Sequence, residues 1–211
     1  MANPVTVPGD LIVPGALRVS GGITPAIARA NILAETSLAT FPIPLTSFRM
    51  FDNMAELLPT AGGNDDLGLV EGTHGTNTPT LQTQDLGEAG ATSNSARVLV
   101  QLPWEYISGA TITLRFKAGM ITAVADATAT LDCLVYKNQD DPDDAIGDDL
   151  CATAATTINS LTFANIDFSI TPTGLSGGDI LDVKITTAIS DGGTAVVISA
   201  ISSAKLLCDV R

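Results

Sequence analysis

Cationic, sulfur-bearing and aromatic side chains are all scarce in this chain, and each scarcity excludes a class of protein. Ten Lys/Arg and one His stand against 23 Asp/Glu, a formal charge of −13. Such a field repels phosphate, and no Lys/Arg cluster overcomes it locally. The chain therefore reads as having no direct nucleic-acid partner and no membrane partner. Its three cysteines, Cys133, Cys151 and Cys208, lie far apart and form no CxxC pair. That spacing argues against a thiolate metal site or a disulfide framework and predicts reduced, mostly buried thiols, with one Cys133–Cys151 bridge left open. One Trp, two Tyr and six Phe in 211 residues leave little for sugar stacking. Long apolar runs are missing too: the greasiest stretch, 195–207, is broken by three serines and Lys205 and reads as core strand. The opening Met-Ala-Asn-Pro has neither the basic nor the apolar region expected of a secretion signal.

What the chain does have is 45% apolar residues, enough for a core, with 19 Gly and 11 Pro to punctuate it. The length suits one domain of sandwich size and an appendage. Residues 1–23 hold an internal repeat: Val7-Pro8-Gly9, Val13-Pro14-Gly15 and Val19-Ser20-Gly21 recur at a six-residue step. Between these turns lie strands of three or four residues, too short and too few to bury an apolar face within one chain. Their partners must be other subunits or a host surface, the alternative being a disordered Pro/Gly tail. Val7, Leu11, Val13, Leu17, Val19 and Ile23, with Ile27 beyond them, are the candidate contact residues of this arm.

Residues 24–60 read as a helix and a proline-rich connector. Thr24-Pro25 supplies an N-cap and a proline at the first helical position, and the helix is expected from Ala26 to about Ala39. Phe41-Pro42-Ile43-Pro44-Leu45 reads as an extended connector, followed by a helical turn near Asn53 to Leu58. From residue 61 to 211 the pattern is all-β. Eight stretches rich in β-branched residues (67–70, 80–84, 97–102, 111–117, 128–137, 161–170, 180–189 and 194–210, the last as one strand or two) are separated by Gly- or Asp-rich turns. Several alternate cleanly, as do Leu181, Val183 and Ile185 against Asp182 and Lys184. The expected fold is an antiparallel two-sheet β-sandwich, jelly-roll-like, preceded by the arm and one helix.

Catalytic patterns fail on context. Gly174-Leu175-Ser176-Gly177-Gly178 spells a nucleophile elbow, yet it leads into a strand where that motif needs a helix, and the sole histidine, His74, precedes the serine. No phosphate-binding loop is present. Six aspartates within 140–149 suggest calcium, but the ligand spacing is not that of an EF-hand, so the loop reads as a solvated acidic tip and no cofactor is expected. Trp104 and Tyr106 are expected to pack a corner of the sandwich, with exposure at a subunit boundary as the alternative. Charge is unevenly divided: net −1 up to Leu58 and net −12 from Pro59 onward. The front can be buried, while the rest is suited to water.

The repeated Val-Pro-Gly/Val-Ser-Gly lead, the Ala-Ile-Ala-Arg-Ala-Asn-Ile-Leu-Ala-Glu segment, Phe-Pro-Ile-Pro-Leu-Thr, and Leu-Pro-Trp-Glu-Tyr-Ile-Ser-Gly before a β domain resemble virion structural proteins of tailed bacteriophages. The layout is most similar to capsid decoration, or cement, proteins. The resemblance implies a non-enzymatic homotrimer on the outer capsid surface, its arm laid on major capsid protein or swapped between subunits. A fibre or spike subunit contacting the host surface is the alternative. A secreted jelly-roll enzyme acting on carbohydrate is a third class, testable by a sugar-hydrolysis assay.

Overall fold

A computed structural model describes residues 37–70, 72–122, 127–139, 141 and 143–210. Val7, Leu11, Val13, Leu17, Val19, Ile23 and Ile27, together with the repeat and most of the expected helix, lie outside the described residues. Ten strands are described: β1 (Ser37–Ile43), β2 (Gly68–Val70), β3 (Thr80–Gln82), β4 (Gly90–Gln101), β5 (Ile112–Thr122), β6 (Thr128–Lys137), β7 (Thr156–Thr157), β8 (Ala164–Ile170), β9 (Ile180–Asp191) and β10 (Ile198–Val210). One sheet runs β2-β3-β10-β5-β8, with β1 also on β10; the other runs β4-β9-β6-β7. All these pairs are antiparallel. From β3 onward, successive strands cross between the sheets at every step except β6 to β7. The described residues thus form an all-β sandwich with the strand order of a jelly roll.

Period-2 alternation decides which side chains meet between the sheets. Leu114, Phe116, Phe168, Leu206, Leu131, Val135, Leu181, Val183 and Ile185 point inward, each at most 1% exposed. The Phe116 and Phe168 rings meet edge to face with centroids 5.9 Å apart. Burying one such side chain contributes about 1.5–3 kcal/mol, so this two-layer core is the main source of stability.

Three sequence expectations change. Ser37, Leu38 and Ala39 are strand, not the end of a helix, and Phe41 to Ile43 continue that strand. β1 pairs with β10 over its whole length, from Ser37↔Val210 to Ile43↔Ala204. Proline excludes a segment from a central strand but not from an edge, where the missing N–H can face away from the sheet. The body consequently extends upstream of residue 61, and Phe48, at 1% exposure, belongs to its core. β4 begins at Gly90, seven residues before the expected start. Its first half, Gly-Ala-Thr-Ser-Asn-Ser-Ala, has little β propensity. It is held by register with β9 and by buried Asn94, whose Oδ1 accepts from Gln84 N–H (3.2 Å) and whose Nδ2 donates to Asn64 C=O (3.2 Å). Residues 198–210 form one strand, interrupted only by register shifts at 198/199 and 201/203.

The 102–109 corner divides its two aromatics. Tyr106 is buried, its hydroxyl donating to Ala110 C=O at 2.8 Å. Trp104 is 78% exposed, so packing of the sandwich corner falls to Tyr106 alone. The Trp104 ring lies against Gly178, where a Cβ would sit 2.6 Å from Trp104 Cζ3, and Gly178 has φ +91°. That glycine of the elbow-like motif therefore serves a turn and a close approach. Ser176 N–H donates to Asp179 Oδ2 at 2.8 Å.

Candidate functional site

Two features of the outer surface stand out, one on the face of the β4-β9-β6-β7 sheet and one at its β4 edge. The first is a groove of about 480 Å3 on the outer face of the β4-β9-β6-β7 sheet, lined by Phe51, Arg97, Tyr136, Ile146, Gly147, Asp182 and Lys184. Alternation sends Arg97 and Leu99 of β4, Asp182 and Lys184 of β9, and Leu134 and Tyr136 of β6 to this face. Register sets them in rows: Arg97, Lys184 and Leu134, then Leu99, Asp182 and Tyr136. Arg97 reaches diagonally across the rows, its Nε donating to Asp182 Oδ1 at 2.6 Å and its Nη2 to Oδ2. This is the bidentate fork that favours Arg over Lys. The paired carboxylate raises the Arg97 pKa further above its ordinary value, so the floor of the groove holds a fixed, neutralised charge pair.

The walls come from loops. Arg49 exchanges backbone hydrogen bonds with Arg97 (2.8 and 3.0 Å) along the free edge of β4, and this lays the following residues over the sheet. Phe51 thereby comes to rest under Lys184, whose Nζ sits 4.2 Å from the ring centroid, a cation–π contact. Asp66 is 3% exposed, and the Phe51 backbone nearby favours its charged form. Burial, joined by the charges of Asp65, Asp52 and Glu56, pushes its carboxyl above the usual value of 3.8. Ile146, 62% exposed, forms the opposite wall from the acidic loop. Two aromatics, a polar floor and one lysine suit an uncharged polar ligand better than an anion.

The second feature is the β1 edge. Leu38 (53% exposed) and Phe41 (36%) lie on this edge strand. A narrow groove of about 160 Å3 runs along Phe41 to Pro44, Val98 to Gln101 and Leu206. It lies between β1 and β4, at the edge of the sandwich where the two sheets come together.

Sequence reasoning flagged neither the Arg97–Asp182 pair nor Phe51. The outward position of Asp182 and Lys184 was a visible signal, but strand order was needed to bring Arg97 beside them. The acidic loop is used structurally: Asp149 Oδ1 accepts from Val135 N–H (2.8 Å) and Cys151 N–H (3.0 Å). Among the described residues, no group of three or more His, Cys, Asp or Glu has metal-binding geometry. His74 lies exposed in a turn.

Neither protein-family descriptions nor curated proteins match the chain. Solved structures do. The CBM22-2 xylan-binding domain from Paenibacillus barcinonensis Xyn10C aligns over 81% of this chain and 98% of its own, at 14% identity and a TM-score of 0.42. The C-terminal family 22 carbohydrate-binding module of Clostridium thermocellum Xyn10B aligns over 82% and 93%, at 15% identity and 0.40. TmCBM61, solved with β-1,4-galactotriose, aligns over 71% and 86%, at 14% identity and 0.41. At these values the likeness is one of β-sandwich architecture and brings no ligand with it.

Proposed function

We propose that the chain is a non-enzymatic virion structural protein of a tailed bacteriophage. It binds and stabilises the outer capsid lattice as a homo-oligomeric decoration protein, a trimer in the arrangement the sequence resemblance implies. The observation that supports this best is the continuity of β1 with the N-terminal arm. Seven register pairs tie the strand to β10, the last strand of the body, so tension on an arm held by major capsid protein passes directly into the sandwich. Several arms acting together turn weak contacts into a firm clamp through effective concentration. The charge division agrees, with a near-neutral front and an acidic, water-facing body.

The test uses full-length protein and capsids stripped of it. Replacing Val7, Leu11, Val13 and Leu17 with aspartate should abolish co-sedimentation with capsids while leaving the thermal transition of the body in place. Undiminished capsid binding would overturn the reading.

The Phe51/Tyr136 groove favours a second reading, a fibre or spike subunit in which it receives a host-surface sugar. Titration of neutral oligosaccharides against the protein and its Tyr136→Ala variant tests this. Imaging of the particle also separates the two, since a decoration protein covers the lattice and a spike sits at isolated positions.

A further inference from the structure

Cys133 and Cys151 occupy an unusual place in the sandwich. Cys133 is on the inner face of β6, 1% exposed among core side chains. From β6 the chain runs out through the acidic loop and returns at Asp149–Thr153 as a strap across the open side of the sandwich. The strap is hydrogen-bonded to both sheets. Leu150 N–H donates to Val135 C=O of β6 (2.7 Å), while Thr171 N–H donates to Leu150 C=O (2.8 Å) and Ala152 N–H to Ser169 C=O of β8 (2.9 Å). Cys151 itself forms an isolated bridge with Ile170. Both thiols are free; the half-buried Cys151 packs against the core cluster that includes Cys133, on a strap whose Asp149 and Leu150 are hydrogen-bonded to Val135, two residues along β6 from Cys133.

We propose that Cys133 and Cys151 are a redox-set staple that closes to a disulfide when the folded protein meets a low-molecular-weight disulfide. The two residues divide the chemistry. The neighbouring Cys133 lowers the Cys151 pKa, whereas Cys151 and burial push the Cys133 thiol well up; the Cys151 thiol itself points to Thr153 C=O at 3.5 Å. The more exposed and more acidic Cys151 therefore attacks first, because the thiolate is the nucleophile and needs access. Its sulfur bonds to one sulfur of the small disulfide and expels the other half as a thiolate. Cys133 then releases its proton, attacks the Cys151 sulfur, and expels the second half. One protein disulfide and two small thiols result from two protein thiols and one small disulfide. The bond joins β6 covalently to a strap already anchored on β8, so both sheets gain a link that strand exchange cannot undo. Cys208, on the inner face of β10, has a pKa raised to about 11 by burial and the nearby Asp209, and takes no part.

The experiment incubates full-length folded protein with oxidised glutathione, blocks remaining thiols with N-ethylmaleimide in denaturant, and reads mass and peptide map. Closure predicts that alkylation falls from three cysteines to one, with Cys133 linked to Cys151. The loop closed is 133–151, and its cross-linking should raise Tm by about 6–12 °C, reversed by dithiothreitol. Cys208→Ser should behave as wild type; Cys151→Ser should gain no Tm on oxidation. Three alkylatable cysteines after oxidation, a link to Cys208, or arrest as a glutathione adduct on Cys151 would each overturn the proposal. The wild-type mass measurement decides the matter even where a variant fails to fold.

Discussion

Asp66 is a carboxylate in the wrong place for stability, and replacing it with asparagine should strengthen the fold at neutral pH. The residue is 3% exposed, its Oδ1 has no hydrogen-bond partner, and Asp65, Asp52 and Glu56 add negative charge around it. A buried acceptor without a partner costs about 1–3 kcal/mol. Against this stands the Phe51 backbone, which favours the charged form and is worth about 1 kcal/mol less to asparagine's neutral carbonyl, the difference between charged and neutral acceptors. Asp66→Asn should therefore gain up to about 2 kcal/mol at pH 7. Linkage sets the sign with pH. A folded-state carboxyl pKa above its ordinary 3.8 means that the native state binds the proton more tightly than the unfolded chain. The wild type is accordingly relieved at low pH and penalised as pH rises past that value, whereas the variant is indifferent. Urea unfolding of both proteins at several pH values, with unchanged m, measures the gap. It should be widest near neutrality and close toward pH 3.8. A gap that stays constant with pH, or a variant less stable at pH 7, would refute the argument.

Phe168→Ala removes a ring that is fully buried against Phe116 and should cost about 3–5 kcal/mol in urea unfolding; a loss below about 1 kcal/mol would mean that the two sheets do not meet there. Gly178→Ala forces a side chain onto a backbone at φ +91° and into the Trp104 ring, so stability should fall by about 1–3 kcal/mol. The sole tryptophan's emission should shift at the same time, and an unmoved spectrum would contradict the contact. Asp149→Ala strips the acceptor shared by Val135 and Cys151 N–H, predicting a loss of about 1–3 kcal/mol and slower Cys133–Cys151 closure by oxidised glutathione. Closure at the wild-type rate would show that the strap is held without that carboxylate.

Much of the sandwich was legible because β-branched alternation is a local signal. Leu181, Val183 and Ile185 fall on one face and Asp182 and Lys184 on the other whatever strand lies beside them. The misreadings came where local and tertiary signals conflict. Two prolines made 41–45 look unpairable, yet an edge strand accepts them. The small polar residues of 90–96 carry no β signal, and only β9 alongside and the buried hydrogen bonds of Asn94 make them strand. Trp104 was expected to pack a corner, with exposure as the alternative, and only the fold showed its ring laid over Gly178 and largely in solvent.

By itself, then, the sequence determined composition, charge division and the inward or outward direction of most strand residues, since each depends on side-chain identity and a period of two. Tertiary structure alone decided which outward residues become neighbours. Arg97 and Asp182 are 85 positions apart, and Phe51 and Lys184 lie on a loop and a strand that only the pairing of Arg49 with Arg97 brings together. Contacts of that range depend on strand order and register, which no local pattern encodes. For the same reason, where Cys151 would lie relative to Cys133 was open until the strap over the sandwich edge was seen to return alongside β6 at Val135.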